Sequence, residues 1–230
     1  MITIIIVCHN QLASTKRTIN SLLKYKNNTP YHLYLIDNGS TDNTFQYFSS
    51  LTVSKTIFQY SENTGFIIPN NHAIQDTTTD VLLLNNDIEI LSDHWLDRLV
   101  EDSLPDDIGL SYPLNRTRNQ LFYGGIIQNR QESLLNYNID KLQTPTWAQF
   151  SCVLIKRKVI DDIGFLDSFN FAYFEDVDYC VRLTIKGYKM KLVKDVVVEH
   201  YQSVTAKTVK HEQYRIENRD KFYKKWNDRF

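Results

Sequence analysis

The chain has 230 residues, with 26 Lys and Arg against 27 Asp and Glu for a net charge of -1, so it has no global field for nucleic acid or acidic lipid. Hydrophobic residues make up 42% and charged residues 23%, the make-up of a soluble globular protein that buries one substantial core in a single domain. No apolar run is long enough to span a bilayer, "MITIIIVCHN" does not read as a signal peptide, and three scattered cysteines, Cys8, Cys152 and Cys180, speak against a disulfide framework and for a reducing cytoplasm.

Taken in chain order, the first half alternates. "TIIIV" is a continuous β-branched run, the pattern of a strand buried on both faces. "STKRTINSLLKY" follows, with Ile19, Leu22 and Leu23 at helical spacing and Ser14 or Thr15 as the N-cap. "HLYLID" reads as a second strand, "STDNTFQYFSSL" as a capped helix, "KTIFQY" as a third strand and the stretch from Pro69 as a third helix. "VLLLN" is a fourth strand and "SDHWLDRLVEDSL" the helix after it. This alternation predicts an α/β fold whose strands pair in parallel through right-handed crossovers. Ligands of such sheets bind beyond the carboxyl ends of the strands.

The residues at those ends are Cys8, His9 and Asn10; Asp37, Asn38, Gly39 and Ser40; Glu62, Asn63, Thr64 and Gly65; and Asn85, Asn86 and Asp87. Asp and Asn are common after strands because they form turns and caps, yet here they occupy all four ends. The seven glycines include no G-x-G-x-x-G and no G-x-x-x-x-G-K, so neither a Rossmann dinucleotide cradle nor a P-loop is supported. A phosphorylated ligand in such surroundings needs a divalent cation held by a hard carboxylate oxygen. Asp87, closing "LLLNND", is the candidate.

In order and spacing, "TIIIVCHN", "LIDNGSTDNT", "ENTGF", "LLLNNDIEI" and "FEDVDYCVRL" resemble the motifs of family 2 glycosyltransferases, from about residue 2 to about residue 205. They look most like the branch that includes bacterial rhamnosyl- and galactofuranosyltransferases. The resemblance implies a GT-A fold, a mostly parallel central sheet flanked by helices. It divides the chain into a nucleotide-sugar-binding half to about residue 110, an acceptor-binding and catalytic half from about 111 to 205, and a C-terminal helix from about 206 to 230. It implies inverting transfer from a nucleoside-diphosphate sugar, UDP- or dTDP-linked, to a hydroxyl of a glycan, lipid-linked or protein-linked acceptor.

The same resemblance assigns the strand ends. "NND" is similar to the D-x-D-type motif that meets the metal and the donor, with Asn85 at the first acidic position, Asn86 between and Asp87 at the last. One carboxylate there calls for a further metal ligand, and "VVVEHYQSVT" resembles the family strand that ends in a histidine followed by a serine, here His200 and Ser203. Imidazole suits Mn²⁺ better than Mg²⁺. Asp37 corresponds to the aspartate that accepts a hydrogen bond from the base, and Val7, His9 and Asn10 to the lining of that pocket. Residues 63–71, with Asn63, Gly65 and Asn71, match the segment that closes over the nucleotide, although Ile67, Ile68 and Pro69 depart from the small residues usual there.

In "NFAYFEDVDYCVRLTIKGYKMKLV", Val177, Val181 and Ile185 recur at i, i+4 and i+8, the buried stripe of a helix. Glu175 and Asp176 then fall in its first turn, where the helix dipole favours carboxylates, and Asp178 pairs with Arg182 one turn on. The resemblance makes Asp176 the general base that takes the acceptor hydroxyl's proton and Glu175 a hydrogen-bonding partner of the acceptor. "LFYGGIIQ" reads as a hairpin strand, and Trp147 as either a sugar-stacking aromatic on the acceptor side or plain core. "KHEQYRIENRDKFYKKWNDRF" reads as an amphipathic helix with Tyr214, Phe222 and Trp226 among its apolar positions. Its mixed charges describe a solvated face, with at most weak peripheral contact at the cytoplasmic membrane surface. Two alternatives fit less well. A sugar-nucleotide pyrophosphorylase wants a glycine-rich loop that "VCHNQLAST" lacks, and a non-catalytic carbohydrate-binding relative has no need of Asp37, Asp87 and Asp176 together.

Overall fold

The first strand sets the pattern. β1 (Ile2–Cys8) sends Ile4, Ile6 and Cys8 into one apolar cluster and Ile5 into another, and all four are fully buried. A strand covered on both faces needs an unbroken apolar run, which is what the sequence supplies. The computed structural model describes residues 1–201, 209–227 and 229; Ser203 lies outside the described residues.

After β1 come α1 (Leu12–Lys24), β2 (Tyr31–Asn38), α2 (Thr44–Ser50), β3 (Lys55–Tyr60), α3 (Ile67–Gln75), β4 (Asp80–Leu84), β5 (Ile88–Ile90) and α4 (Trp95–Ser103). Then follow β6 (Ile108–Thr117), β7 (Gln120–Gln128), β8 (Gln131–Asn136), a short 3-10 turn (Ile139–Lys141), β9 (Cys152–Ile155), α5 (Arg157–Ile163), α6 (Glu175–Ile185), β10 (Lys189–His200) and α7 (Val209–Lys225). The strands form one sheet in the order β3-β2-β1-β4-β9-β6-β10-β5, with β7 and β8 branching from β6. The α/β class and the parallel pairing of the first four strands follow the sequence pattern. Beyond β4 the sheet is mixed: β9 runs antiparallel to β4 and β6, β10 parallel to β6, and β5 antiparallel to β10. The antiparallel share comes partly from β6-β7-β8, whose two tight turns place Arg118, Asn119, Asn129 and Arg130 in the left-handed region. Two-residue turns of that kind join only antiparallel neighbours.

Helices cover both faces. α1, α2 and α4 bury Ile19, Leu22, Phe48, Trp95, Leu96 and Leu99 on one side. α3, α5, α6 and α7 bury Ile74, Ile160, Val177, Leu183 and Phe222 on the other. Each such side chain stabilises the fold by about 1.5–3 kcal/mol. The three cysteines are free and buried.

Local details differ from expectation. α1 begins at Leu12, so neither Ser14 nor Thr15 caps it. Its first N–H, on Leu12, instead donates to Asp42 Oδ2 at 3.0 Å from the loop before α2. A cap supplied by another loop leaves no local sequence signature. α3 begins at Ile67, which puts Pro69 inside the first turn, where a missing N–H is harmless. In α6, Val177 and Val181 are buried but Ile185 is 47% exposed, because the helix ends there and turns out of the core.

Candidate active site

The turn after β4 explains why an apolar strand runs into amides and a carboxylate. Leu82, Leu83 and Leu84 are buried in the sheet, and residues 85–87 then reverse the chain into β5. Asn85 N–H donates to Ser151 O at 2.9 Å, and Asn86 Nδ2 to Thr15 Oγ1 at 3.1 Å, so the turn is pinned on two sides. β5 pairs antiparallel with β10 in a register that sets Ile88 opposite His200. That register brings the Asp87 carboxylate to 3.4 Å from His200 Nε2, and Tyr201 N–H donates to the Asp87 backbone oxygen at 3.1 Å. Both side chains are largely buried, and His200 Nδ1 has no hydrogen-bond partner among the described residues.

Asp87 lies in a cleft at the carboxyl ends of the parallel strands, which also takes Val7, His9, Asn63, Gly65, Asn85 and Asn86 from the expected set. Asn38, Gln11, Phe66, Phe171 and Ala172 complete its walls and were not singled out as site residues. Asn38 is the hub. Its Nδ2 donates to Asn63 Oδ1 at 3.0 Å and Gly65 O at 2.8 Å, and its Oδ1 accepts from the Thr64 N–H and hydroxyl. His9 Nδ1 lies 2.9 Å from Asn38 O. A carbonyl only accepts, so Nδ1 carries the proton and Nε2 faces the Asn10 amide at 3.2 Å as acceptor.

Seven expected site residues do not line the cleft: His200 meets it through Asp87, Glu175 and Asp176 follow Ala172 into α6, and four others are engaged elsewhere. Asp37, expected to accept from a base, is fully buried, and its two oxygens accept from Ser40 N–H at 2.9 Å and Gln59 Nε2 at 3.0 Å. It fixes the turn whose Ser40 hydroxyl accepts from Asn10 N–H. Asn10 spends its side chain on Thr41 and His9. Asn71 bonds both the Leu166 N–H and its carbonyl and so ties α3 to the segment before α6. Trp147, expected beside a sugar, is core: it is 6% exposed, and its ring occupies the space where Gly125 lacks a Cβ. The small residue in "LFYGGIIQ" and the large one in "PTWAQF" are two parts of one packing unit.

The far wall is the segment before α6. Phe171, Tyr173 and Phe174 adopt φ of 60°, 82° and 69°. Left-handed backbone at bulky residues costs about 1–2 kcal/mol each and persists only where neighbours over-determine it. Phe66 N–H donates to Phe171 O at 2.7 Å, and a Cβ on Gly65 (φ 85°) would fall 2.4 Å from that same oxygen. Gly65 is therefore required where the two halves of the chain meet.

Three residues beyond Ala172 the chain enters α6 with Glu175 and Asp176. Glu175 is buried, with Oε2 lacking a partner among the described residues, while Asp176 is half-buried and accepts from Val177 N–H at 2.8 Å. Burial pushes both carboxyls above their ordinary range, and for Glu175 the neighbouring Asp176 charge adds to the push. The helix dipole acts the other way, and desolvation outweighs it. Asp178 does form the expected bridge to Arg182, at 2.8 Å, but it also accepts from Lys225 at 2.6 Å and Trp226 Nε1 at 2.9 Å on the C-terminal segment.

The paired carboxylate and imidazole suit a borderline divalent cation. Among the described residues no group of three His, Cys, Asp or Glu is placed to hold a metal. Asp87 and His200 therefore offer an open set, of the kind in which other ligands complete the coordination.

The chain belongs to glycosyl transferase family 2, whose model matches residues 3–182. It is similar to the O-antigen biosynthesis protein RfbC of Myxococcus xanthus, 23% identical over 82% of this chain and 16% of that one. Among solved structures it is similar to GalNAc-T7 with UDP, GalNAc and Mn²⁺ (TM-score 0.73, 16% identity, 89% of this chain and 44% of that chain). It is also similar to the mannosyltransferase PcManGT of Pyrobaculum calidifontis in complex with GDP-Man and Mn²⁺ (TM-score 0.71, 15% identity, 97% and 64%). These likenesses fix the GT-A fold. The chain spans 25% and 16% of the lengths of two curated relatives it matches. Among the described residues no helix is long and apolar enough to cross a membrane.

Proposed function

We propose that this chain is an inverting glycosyltransferase that moves a hexosyl or deoxyhexosyl group from a nucleoside-diphosphate sugar, UDP- or dTDP-linked, to an acceptor hydroxyl. The observation that carries the reading is the Asp87–His200 pair, 3.4 Å apart, with Asp87 lining a cleft that Phe171 and Ala172, just before Glu175 and Asp176, also line. Val7, His9, Asn63, Gly65, Asn85 and Asn86 hold the nucleotide side. Asp87 and His200 hold a divalent cation, Mn²⁺ in preference to Mg²⁺, in line with the Mn²⁺ in GalNAc-T7 and PcManGT. When bound, that cation supplies neutralisation of the departing diphosphate. Asp176 takes the proton of the acceptor hydroxyl as its oxygen attacks the anomeric carbon and the bond to the diphosphate breaks, with inversion and no covalent intermediate. A carboxylate raised by burial is a stronger base near neutral pH than an exposed one. Glu175 hydrogen-bonds the acceptor. The likeness to an O-antigen biosynthesis protein supports a bacterial surface glycan, lipid-linked or protein-linked, as acceptor and a place in the rhamnosyl- and galactofuranosyltransferase branch.

The test is a panel of UDP-, dTDP- and GDP-sugars scored for thermal stabilisation and for slow release of nucleoside diphosphate with Mn²⁺ present. One UDP- or dTDP-sugar should stabilise and be turned over. Stabilisation by none of them, or turnover only with added pyrophosphate, would refute the reading.

A further inference from the structure

The strained segment that leads into Asp176 is held from behind by α7. Tyr214, Asn218 and Phe222 recur at i, i+4 and i+8, one face of that helix. Tyr214 stacks on Phe171 (centroids 5.2 Å apart, planes at 13°) and Phe222 packs on Phe174 at 5.4 Å. Between them Asn218, fully buried, spends its whole amide on the segment. Its Nδ2 donates to the carbonyls of Asn170 (2.8 Å), Ala172 (2.7 Å) and Tyr173 (3.1 Å), and its Oδ1 accepts from Asn170 N–H at 2.8 Å. The opposite side of the same segment lines the cleft through Phe171 and Ala172.

Asp176 itself has no comparable support. Its side chain bonds to backbone N–H groups of its own turn, those of Val177 and Asp176 itself, so its placement is set by the backbone that delivers it. That backbone passes through Phe171, Tyr173 and Phe174, whose left-handed φ values need an external hold. We propose that Asn218 is a positioning residue of the transfer reaction: its buried amide fixes the 170–174 segment and, through it, the place of Asp176 relative to the cleft. The inference rests on reading Asp176 as the base. Only an amide fits the task. A carboxylate turns a second oxygen toward three carbonyls, and an apolar side chain withdraws the donor from the Ala172 and Tyr173 carbonyls and the acceptor from the Asn170 N–H, while the Asn170 carbonyl keeps only the Ala172 N–H.

Asn218→Asp keeps the volume and the acceptor for Asn170 N–H but removes the donors. The variant should release nucleoside diphosphate from the sugar donor with kcat lowered about 10- to 100-fold, the loss a misplacement of order 1 Å brings. Its affinity for UDP or dTDP, whichever the wild type binds, should stay within threefold, because Asp87 and the amides stand on other strands. Backbone hydrogen exchange should rise in residues 168–176 and not in β1 or β4. A folded variant with kcat within threefold of wild type, or with exchange rising equally in the central strands, overturns the proposal. If Asn218→Asp does not fold, Tyr214→Leu, on a half-exposed face, carries the test: kcat falls with diphosphate affinity kept, or the proposal is overturned. A wild type that never turns over a nucleotide sugar refutes the transferase reading instead, and the exchange measurement still reports on the clamp.

Discussion

Asp178 has no exposed surface, yet it carries a charge, and removing that charge should be among the most damaging single changes outside the cleft. It accepts from Arg182 Nε at 2.8 Å, Lys225 Nζ at 2.6 Å and Trp226 Nε1 at 2.9 Å. Asp178→Asn keeps the shape and withdraws the negative charge. Three bonds to the charged carboxylate are weakened, each worth about 1.5–3 kcal/mol when fully formed. The cations keep some company: Arg182 also donates to Ile163 O and Phe165 O, and Lys225 also meets Asp167 at 2.7 Å. Lys225 is about one-third exposed, so solvent screening discounts its share. The expected loss is then about 3–5 kcal/mol, the usual cost of breaking a buried ion pair from one side. In a chain of this length, about 2–4 °C per kcal/mol converts that to roughly 6–20 °C in Tm. The assay is thermal unfolding of wild type and Asp178→Asn at low and high salt, since a buried pair is little screened. A loss under about 1 kcal/mol, or one that vanishes in high salt, would refute this account of how α6 and the C-terminal segment are joined.

Glu175→Gln tests the buried carboxyl. Its raised pKa means that the folded state favours the neutral form, so the stabilising share is full below the unfolded value of about 4.3 and is lost as pH rises through the raised value. Glutamine is neutral throughout, so the variant should gain stability relative to wild type between about pH 5 and pH 9; parallel pH curves would contradict this. Asp176→Asn should bind donor and metal normally and lower turnover about 10²–10⁴-fold, and near-normal turnover with intact binding would place the base elsewhere. Gly65→Ala combines a left-handed φ with a Cβ 2.4 Å from Phe171 O, so it should both lower Tm and weaken nucleoside diphosphate binding; unchanged binding calorimetry would show that the segment moves away at no cost.

The parts legible in the sequence are those with a local cause. Buried parallel strands need continuous apolar runs, so "TIIIV" and "VLLLN" announced themselves, and the polar residues after them mark the cleft. The first-turn position of Glu175 and Asp176 followed from the spacing of Val177 and Val181. What was not legible depends on distant partners. The meeting of Asp87 with His200 needs the β5–β10 register, and only the family resemblance suggested it. Asp37 reads as a ligand residue by resemblance, and its bonds to Ser40 N–H and Gln59 Nε2, which come from a turn and a neighbouring strand, are not visible in the sequence. Trp147 could be a sugar platform or core on composition alone, and Gly125 decides for core. Asn218 sits in a strongly polar stretch that reads as a solvated face, yet it is buried, because the carbonyls it serves lie 45 to 48 residues away in the chain.

On the reading proposed above, Asp87 and His200 hold a divalent cation against the diphosphate of a donor. The most direct measurement is calorimetric binding of UDP and dTDP to wild type and Asp87→Ala, each in Mn²⁺ and in EDTA. Wild type should bind one of the two at least about tenfold more tightly in Mn²⁺, a difference of about 1.4 kcal/mol, and Asp87→Ala should bind it equally in both solutions. Equal affinity of the wild type in Mn²⁺ and in EDTA would contradict the account.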